Sequence, residues 1–352
     1  MSEARSLVVV AQIKNEERSI YRFLKTCDLF ADHIILFDQG STDRTLEIAS
    51  QFQKVKAYQN DEKHLNESNT IRKLYEIARS EISGPKIILR LDADEVLTGD
   101  VRSSTEWHTL LNAAPGTILC FPRVEIFSFE ECYTSRSGLD RGYVDDGRLF
   151  NVNPIHAKST PINEGVPTLT CSKIKILHYS GLRKKFGEAK MRYYCMLDNI
   201  YDTRPTFDRR NFYRPGHILD IIRATAQRIA FDENWIKHYE LHGIDMTSIA
   251  DDQFSWHDEA CIDLMITHGV SRFVWDPLWY YDWETTIRSL PPEKRAAAEH
   301  VFRRPSRRQL KLGNAADRLY HHRLLPLKQR SRTLLNSVFR AKSPASLGTA
   351  RT

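Results

Sequence analysis

Two hydrophobic periods alternate over the first 95 residues. Leu7–Gln12 (LVVVAQ), His33–Asp38 (HIILFD) and Lys86–Leu91 (KIILRL) are segments of strand length built on consecutive apolar residues. Continuous apolarity belongs to strands buried on both faces, as in parallel sheets covered by helices. Between them Ile20, Phe23, Leu24, Cys27 and Phe30 recur at helical spacing. Leu46, Ile48, Ala49 and Phe52 do the same behind Asp43, which is placed to cap that helix. Lys54–Tyr58 reads as a short strand, and a helix over Asn69–Ile82 buries Ile71, Leu74, Tyr75 and Ala78 before Gly84-Pro85 stops it. Strands alternating with helices predict an α/β fold with a mainly parallel sheet and right-handed crossovers.

The pattern changes after Glu95. A helix over Ser104–Asn112, a strand over Thr117–Pro122 and a loop over Ser135–Gly147 rich in Gly, Asp and Arg are expected. The turn Pro161–Gly165 and the strand Lys173–His178 follow. From about Gly181 the chain reads as mostly helical, broken at Arg204-Pro205, Arg214-Pro215 and Pro291-Pro292. The expected division is an α/β domain over 1–185, a mostly helical region over 186–300, and a basic amphipathic segment with a tail expected to be disordered over 301–352.

Composition narrows the class. In 352 residues, 41% hydrophobic and 27% charged content is that of an ordinary globular protein. No stretch reaches the about 18 apolar residues of a membrane span. The short apolar run near the N-terminus meets charges at once, so a signal peptide is not expected and the expected location is cytoplasmic. Six scattered cysteines with no C-x-x-C pair read as reduced thiols. The net charge of +6 is concentrated between Arg303 and Lys342, where leucines interleave with cations. Such a segment suits either a helix on an anionic membrane surface or a solvated helix packed on its domain; it carries no recognisable nucleic-acid motif.

The chemistry sits at strand ends. KIILRL runs into Asp92, Asp94 and Glu95, and HIILF runs into Asp38. Lys14-Asn15-Glu16 follows the first strand. In an open parallel sheet these three clusters share the carboxyl edge, where ligands bind. Neighbouring carboxylates repel unless a cation joins them, and Mn2+ or Mg2+ prefers oxygen ligands. A nucleoside diphosphate fits such a crevice, with one acid on the nucleoside and a D-x-D-held metal on the phosphates. A glycine-rich dinucleotide fingerprint is absent after the first strand, as is a phosphate loop.

VVVAQIKNEE, HIILFDQGSTDRT and IILRLDADE, in that order, resemble the bacterial family 2 glycosyltransferases of GT-A fold. The resemblance is sharp over about 7–97 and looser to about 180. It implies metal-dependent transfer of a sugar, with inversion, from a nucleotide-diphosphate sugar to a hydroxyl acceptor. By that resemblance Asp94 binds the metal, Asp92 holds the ribose or metal, and Asp38 contacts the nucleoside. Lys14 and Glu16 line the donor pocket, and Arg72 reaches the base or phosphate. Gln39 stands where many relatives carry another acid. Leu177-His178-Tyr179 resembles the late strand whose histidine completes the metal shell. Arg148-Leu149-Phe150 with Pro161–Gly165 resembles an R-L-F…H-E pattern in which Asn163 replaces the histidine.

Inversion needs a base on the face opposite the leaving group. Glu164 is the first candidate, with Asp145 and Asp146 second. Arg183, Lys184 and Lys185 could neutralise diphosphate or form a solvated face. The aromatic cluster Trp275, Trp279, Tyr280, Tyr281 and Trp283 reads mainly as core, and His257-Asp258-Glu259 as surface. A saccharide or lipid-linked acceptor, as in cell-surface polysaccharide or lipopolysaccharide synthesis, would suit a membrane-touching segment at 303–342. A nucleotidyltransferase and a non-catalytic nucleotide-sugar-binding module are the alternatives.

Overall fold

A computed structural model describes residues 5–60, 67–135, 137–148, 160, 165–250 and 255–319. Two compact units divide the chain, one of residues 1–187 with 219–253 and the other of 188–218 with 254–352.

The first unit begins as the hydrophobic pattern predicts. Strands β1 (Ser6–Ile13), β2 (His33–Asp38), β3 (Val55–Gln59) and β4 (Lys86–Arg90) are parallel neighbours. After β4 come β5 (Glu95–Leu97), β6 (Ile118–Phe121), β7 (Arg123–Ser128) and β8 (Glu131–Thr134). The remaining strands are β9 (Leu139–Val144), β10 (Thr168–Thr170), β11 (Ile176–His178) and β12 (Gln227–Ile229). Among the described residues, seven strands form one sheet in the order β10-β6-β9-β4-β1-β2-β3. Five form another in the order β12-β8-β7-β11-β5.

Helices α1 (Ile20–Asp28), α2 (Thr45–Ala49), α3 (Glu67–Glu81) and α4 (Thr105–Leu111) accompany the larger sheet. Its two faces are both buried, which explains the consecutive apolar residues. Leu7, Val9, Ala11, Ile34, Leu36, Ile87 and Leu89 pack with α1 residues Ile20, Phe23 and Leu24. Val8, Val10, Ile35, Phe37 and Ile88 pack with α3 residues Ile71, Leu74, Tyr75 and Ala78. Each such fully buried aliphatic or aromatic side chain stabilises by about 1.5–3 kcal/mol.

The expected loop over Ser135–Gly147 instead contains β9, antiparallel to both β4 and β6. A glycine, an aspartate and an arginine disguised it. Gly142 lies in such close quarters that a Cβ would fall 2.6 Å from Leu89 Cδ2 and 2.8 Å from Leu119 Cβ. Its missing side chain is therefore a packing requirement, not a turn signal.

The smaller sheet buries Val96, Val124, Ile126, Cys132 and Leu177 with Ile236 and Tyr239. Those last two belong to a helix over Asn234–Leu241. The Tyr239 hydroxyl donates to the Leu97 carbonyl at 2.8 Å, which ties the returning segment to β5. All six cysteines are buried and unpaired.

The second unit is helical, with a core of Cys195, Met196, Cys261, Ile262, Met265, Phe273, Trp279 and Trp283. Its buried ion pairs join Arg192 to Asp258 and Arg209 to Asp276, each at 2.8 Å. His257 and Asp258 are therefore interior, contrary to the surface reading of His257-Asp258-Glu259, and only Glu259 is exposed. Local sequence does not reveal this, because the buried partner of Asp258, Arg192, lies 66 residues away. Trp279 and Trp283 are core as expected, while Trp275 and Tyr280 remain 44% and 45% exposed. Among the described residues no helix is long and apolar enough to cross a membrane.

Candidate active site at the carboxyl edge of the larger sheet

Parallel pairing puts the ends of β1, β2 and β4 on one edge. Ile13 pairs with Asp38 and Val10 with Arg90, so the three following loops emerge side by side. The first two are laced together. Asn15 N–H donates to Ser41 Oγ at 2.9 Å, Glu16 N–H to Thr45 Oγ1 at 2.7 Å, and Glu17 N–H to Asp43 Oδ2 at 3.1 Å. Asn15 adopts a left-handed φ of 52°, and its side chain accepts from Thr42 N–H at 2.7 Å. Asp43 thus braces two loops, and Arg44 occupies the cap position of α2.

Asp38 is 1% exposed. Its carboxylate accepts from Gly40 N–H at 3.2 Å, and from Ser41 N–H at 3.0 Å and Ser41 Oγ at 2.5 Å. It shapes the turn, with Gly40 at φ 79°. Gln39 accepts from Asn60 Nδ2 at 2.7 Å. Glu16 accepts from Ser19 Oγ at 2.6 Å and from Arg183 Nη1 at 3.0 Å. Burial raises the Glu16 carboxyl, Arg183 opposes that, and Asp94 adds to it. Lys14 sits half-buried in the same loop. Arg72 pairs within α3, with Asn69 and at 3.8 Å with Glu76.

The D-A-D-E turn separates its acids. Asp92 faces Arg90 at 3.2 Å and Arg141 at 2.8 Å. Glu95 is 0% exposed and is held by Arg141 at 2.6 Å, with Arg123 at 3.8 Å. Asp94 instead faces His178, whose Nε2 lies 3.6 Å from Asp94 Oδ2. The backbone fixes this meeting, because Tyr179 N–H donates to the Asp94 carbonyl at 2.9 Å. On the other side His178 Nδ1 lies 2.5 Å from Glu125 Oε2. Burial disfavours the charged imidazole, but Glu125 and Asp94 outweigh it and push His178 up to about 10. Burial would likewise raise Glu125, yet His178 and Arg123 hold it at about 2. Arg18, Arg22, Tyr179 and Arg183 line a small pocket against Asp94 of ≈ 10 Å³, room for about one water.

The donor set suits a hard cation. A separation of 3.6 Å is too long for a hydrogen bond and fits two ligands of one ion. Among the described residues no group of three His, Cys, Asp or Glu side chains could hold a metal by itself. An ion here would take its remaining ligands from substrate or water, as Mg2+ commonly does.

Asp145 and Asp146 fall elsewhere. Because β9 runs antiparallel to β4, Ile87 pairs with Val144 and Asp145 N–H donates to the Lys86 carbonyl at 3.0 Å. Both acids thus lie at the start of β4, which is six residues before Asp92 and about 20 Å from it along an extended chain. They are also engaged, Asp145 with Arg79 at 2.8 Å and Asp146 with Arg148 at 2.7 Å and with the Tyr143 hydroxyl. Glu164, Asn163, Leu149 and Phe150 lie outside the described residues. The same antiparallel run brings Arg141 to Asp92, a contact that reading 135–147 as a loop concealed. Glu125 was missed too. Its signal was the alternation Arg123, Glu125 in an otherwise apolar strand.

Comparison with known proteins agrees with the motifs. Residues 8–104 match the family model described as Glycosyl transferase family 2. No curated protein matches. Among solved structures, glucosyl-3-phosphoglycerate synthase from Mycobacterium tuberculosis, in complex with Mn2+, UDP and glucosyl-3-phosphoglycerate, is 22% identical. The match covers 26% of this chain and 34% of that one, with a TM-score of 0.22. This chain thus spans about a third of that synthase. HddC from Yersinia pseudotuberculosis is 12% identical over 49% of this chain and 93% of its own, with a TM-score of 0.33. A 4-diphosphocytidyl-2C-methyl-D-erythritol synthase is 14% identical over 48% and 89%, with a TM-score of 0.30.

Proposed function

From a chain whose residues 8–104 are a glycosyl transferase family 2 segment, we propose a metal-dependent, inverting glycosyltransferase. It takes a sugar from a nucleotide-diphosphate donor to a hydroxyl acceptor. The observation that carries the reading is the facing pair Asp94 and His178 beside Asp92, at the edge shared by β1, β2 and β4.

Asp94 and His178 would hold a divalent cation, with oxygens of the donor diphosphate completing the shell. When bound, that ion neutralises charge on the departing diphosphate. Asp92, with its orientation fixed by Arg90 and Arg141, keeps a third of its side chain exposed to accept from ribose hydroxyls. Asp38 acts on the nucleoside through the turn it shapes. Lys14, Glu16 and Arg183 complete that edge, while Arg72 reaches a base or phosphate only by leaving Asn69 and Glu76. The proton of the acceptor hydroxyl is assigned to Glu164, since Asp145 and Asp146 sit at the far edge. A peripheral anionic membrane contact through 303–342, with a lipid-linked acceptor, belongs to the same proposal.

Screening UDP, GDP, CDP and dTDP sugars by thermal shift, with and without Mn2+ or Mg2+, tests it. One nucleotide should stabilise the protein, and more so with the metal. No shift with any of them counts against the transferase. A shift with free nucleoside triphosphates and none with nucleotide sugars would favour a nucleotidyltransferase.

A further inference from the structure

Glu125, His178 and Glu95 form one row across three strands of the smaller sheet. His178 of β11 pairs in register with Glu125 of β7 on one side and with Glu95 of β5 on the other. Side chains paired across neighbouring strands stand on the same face, so the imidazole has a carboxylate on each flank. The two acids are nevertheless used differently. Glu95 turns to Arg141 and Arg123, while Glu125 splits its oxygens. Oε1 takes Arg123 and Oε2 takes His178 Nδ1.

We propose that Glu125 is a positioning residue, which fixes the His178 ring so that Nε2 is the nitrogen offered toward Asp94. The inference rests on the proposed cation at Asp94 and His178. A free imidazole can present either nitrogen, and its ring rotates about two side-chain bonds. With Nδ1–H committed to a carboxylate, one ring orientation remains, and the proton that an arriving cation displaces is the one on Nε2. Arg123 matters because it prevents Glu125 from turning away. The gap of 3.6 Å between Nε2 and Asp94 Oδ2 is then a prepared space between two ligands. Glutamine at 125 cannot reproduce this. With its oxygen on Arg123, its amide nitrogen faces Nδ1 and favours the tautomer that blocks Nε2.

Mn2+ binding by electron paramagnetic resonance, with and without UDP, measures the effect apart from turnover. Glu125→Gln should weaken Mn2+ by about 10–100-fold, the usual cost of removing such a partner. In a His178→Ala background the same change should cost far less, because the ring it orients is gone and only the lost negative charge remains. Unchanged Mn2+ affinity in Glu125→Gln, or an equal loss in the His178→Ala background, overturns the role. A wild-type protein that binds no Mn2+ overturns the cation reading itself, a distinct result. Nitrogen NMR of the metal-free wild-type protein gives a check that needs no variant to fold. A His178 Nδ1 proton held in a strong hydrogen bond is expected, and its absence would refute the positioning.

Discussion

Arg141→Met removes the cation that the D-A-D-E turn is built around. Arg141 is 6% exposed, and its Nη2 reaches Asp92 at 2.8 Å and Glu95 at 2.6 Å. The two acids lose unequally. Asp92 keeps Arg90 at 3.2 Å and is one-third exposed, so water covers much of its loss; exposed pairs of that kind contribute about 0–1 kcal/mol. Glu95 is fully buried and retains the longer contact with Arg123, at 3.8 Å, and the Asp92 N–H at 3.2 Å, neither of which replaces the lost guanidinium. Stranding a buried charge costs about 3–5 kcal/mol. For a domain of this size that lowers the melting temperature of the first unit by roughly 6–20 °C. Scanning calorimetry checks this, since it separates the units if they melt apart. Adding Glu95→Gln to Arg141→Met should restore stability, because the stranded charge is then gone. A loss below about 1 kcal/mol, or no recovery on adding Glu95→Gln, would refute the account.

Other substitutions probe separate parts. Gly142→Ala forces a Cβ to within 2.6 Å of Leu89 Cδ2 and should cost about 1–3 kcal/mol in urea unfolding; an unchanged midpoint would move β9 out of the sheet. Glu106 is pulled down from 4.5 to about 2. Burial opposes this, but the Ser172 side chain and the Ile174, Ser172 and Lys173 N–H groups prevail. Its folded value being depressed, it contributes stability that is full above 4.5 and lost as pH falls toward about 2. Glu106→Gln should therefore lower stability at neutral pH and flatten the acid limb across that window; parallel wild-type and variant curves would contradict it. Asp94→Ala should abolish the Mn2+-dependent part of any nucleotide thermal shift, and a retained shift would take Asp94 out of the metal shell. Glu164→Gln should keep donor binding and lose transfer in a sugar-transfer assay, whereas retained turnover would put the base elsewhere.

The sequence alone determined strands β1 to β4 with helices α1 to α3, the sheet edge and the acids placed on it. Strands β1, β2 and β4 are buried on both faces, and that burial writes consecutive apolar residues into local sequence. Once the strands are parallel, their following loops must share an edge, so Lys14-Glu16, Asp38 and Asp92–Glu95 were legible together. Tertiary structure alone decided what those acids face. Arg141 reaches Asp92 because an antiparallel strand slots between β4 and β6, and the same strand carries Asp145 and Asp146 to the opposite end. Glu125 meets His178 across 53 residues, through a register that no local pattern encodes. A carboxylate's role is set by the charge beside it, and here those charges come from chain segments distant in sequence. The resemblance could name His178 and Asp94; only folding showed them facing each other across 3.6 Å.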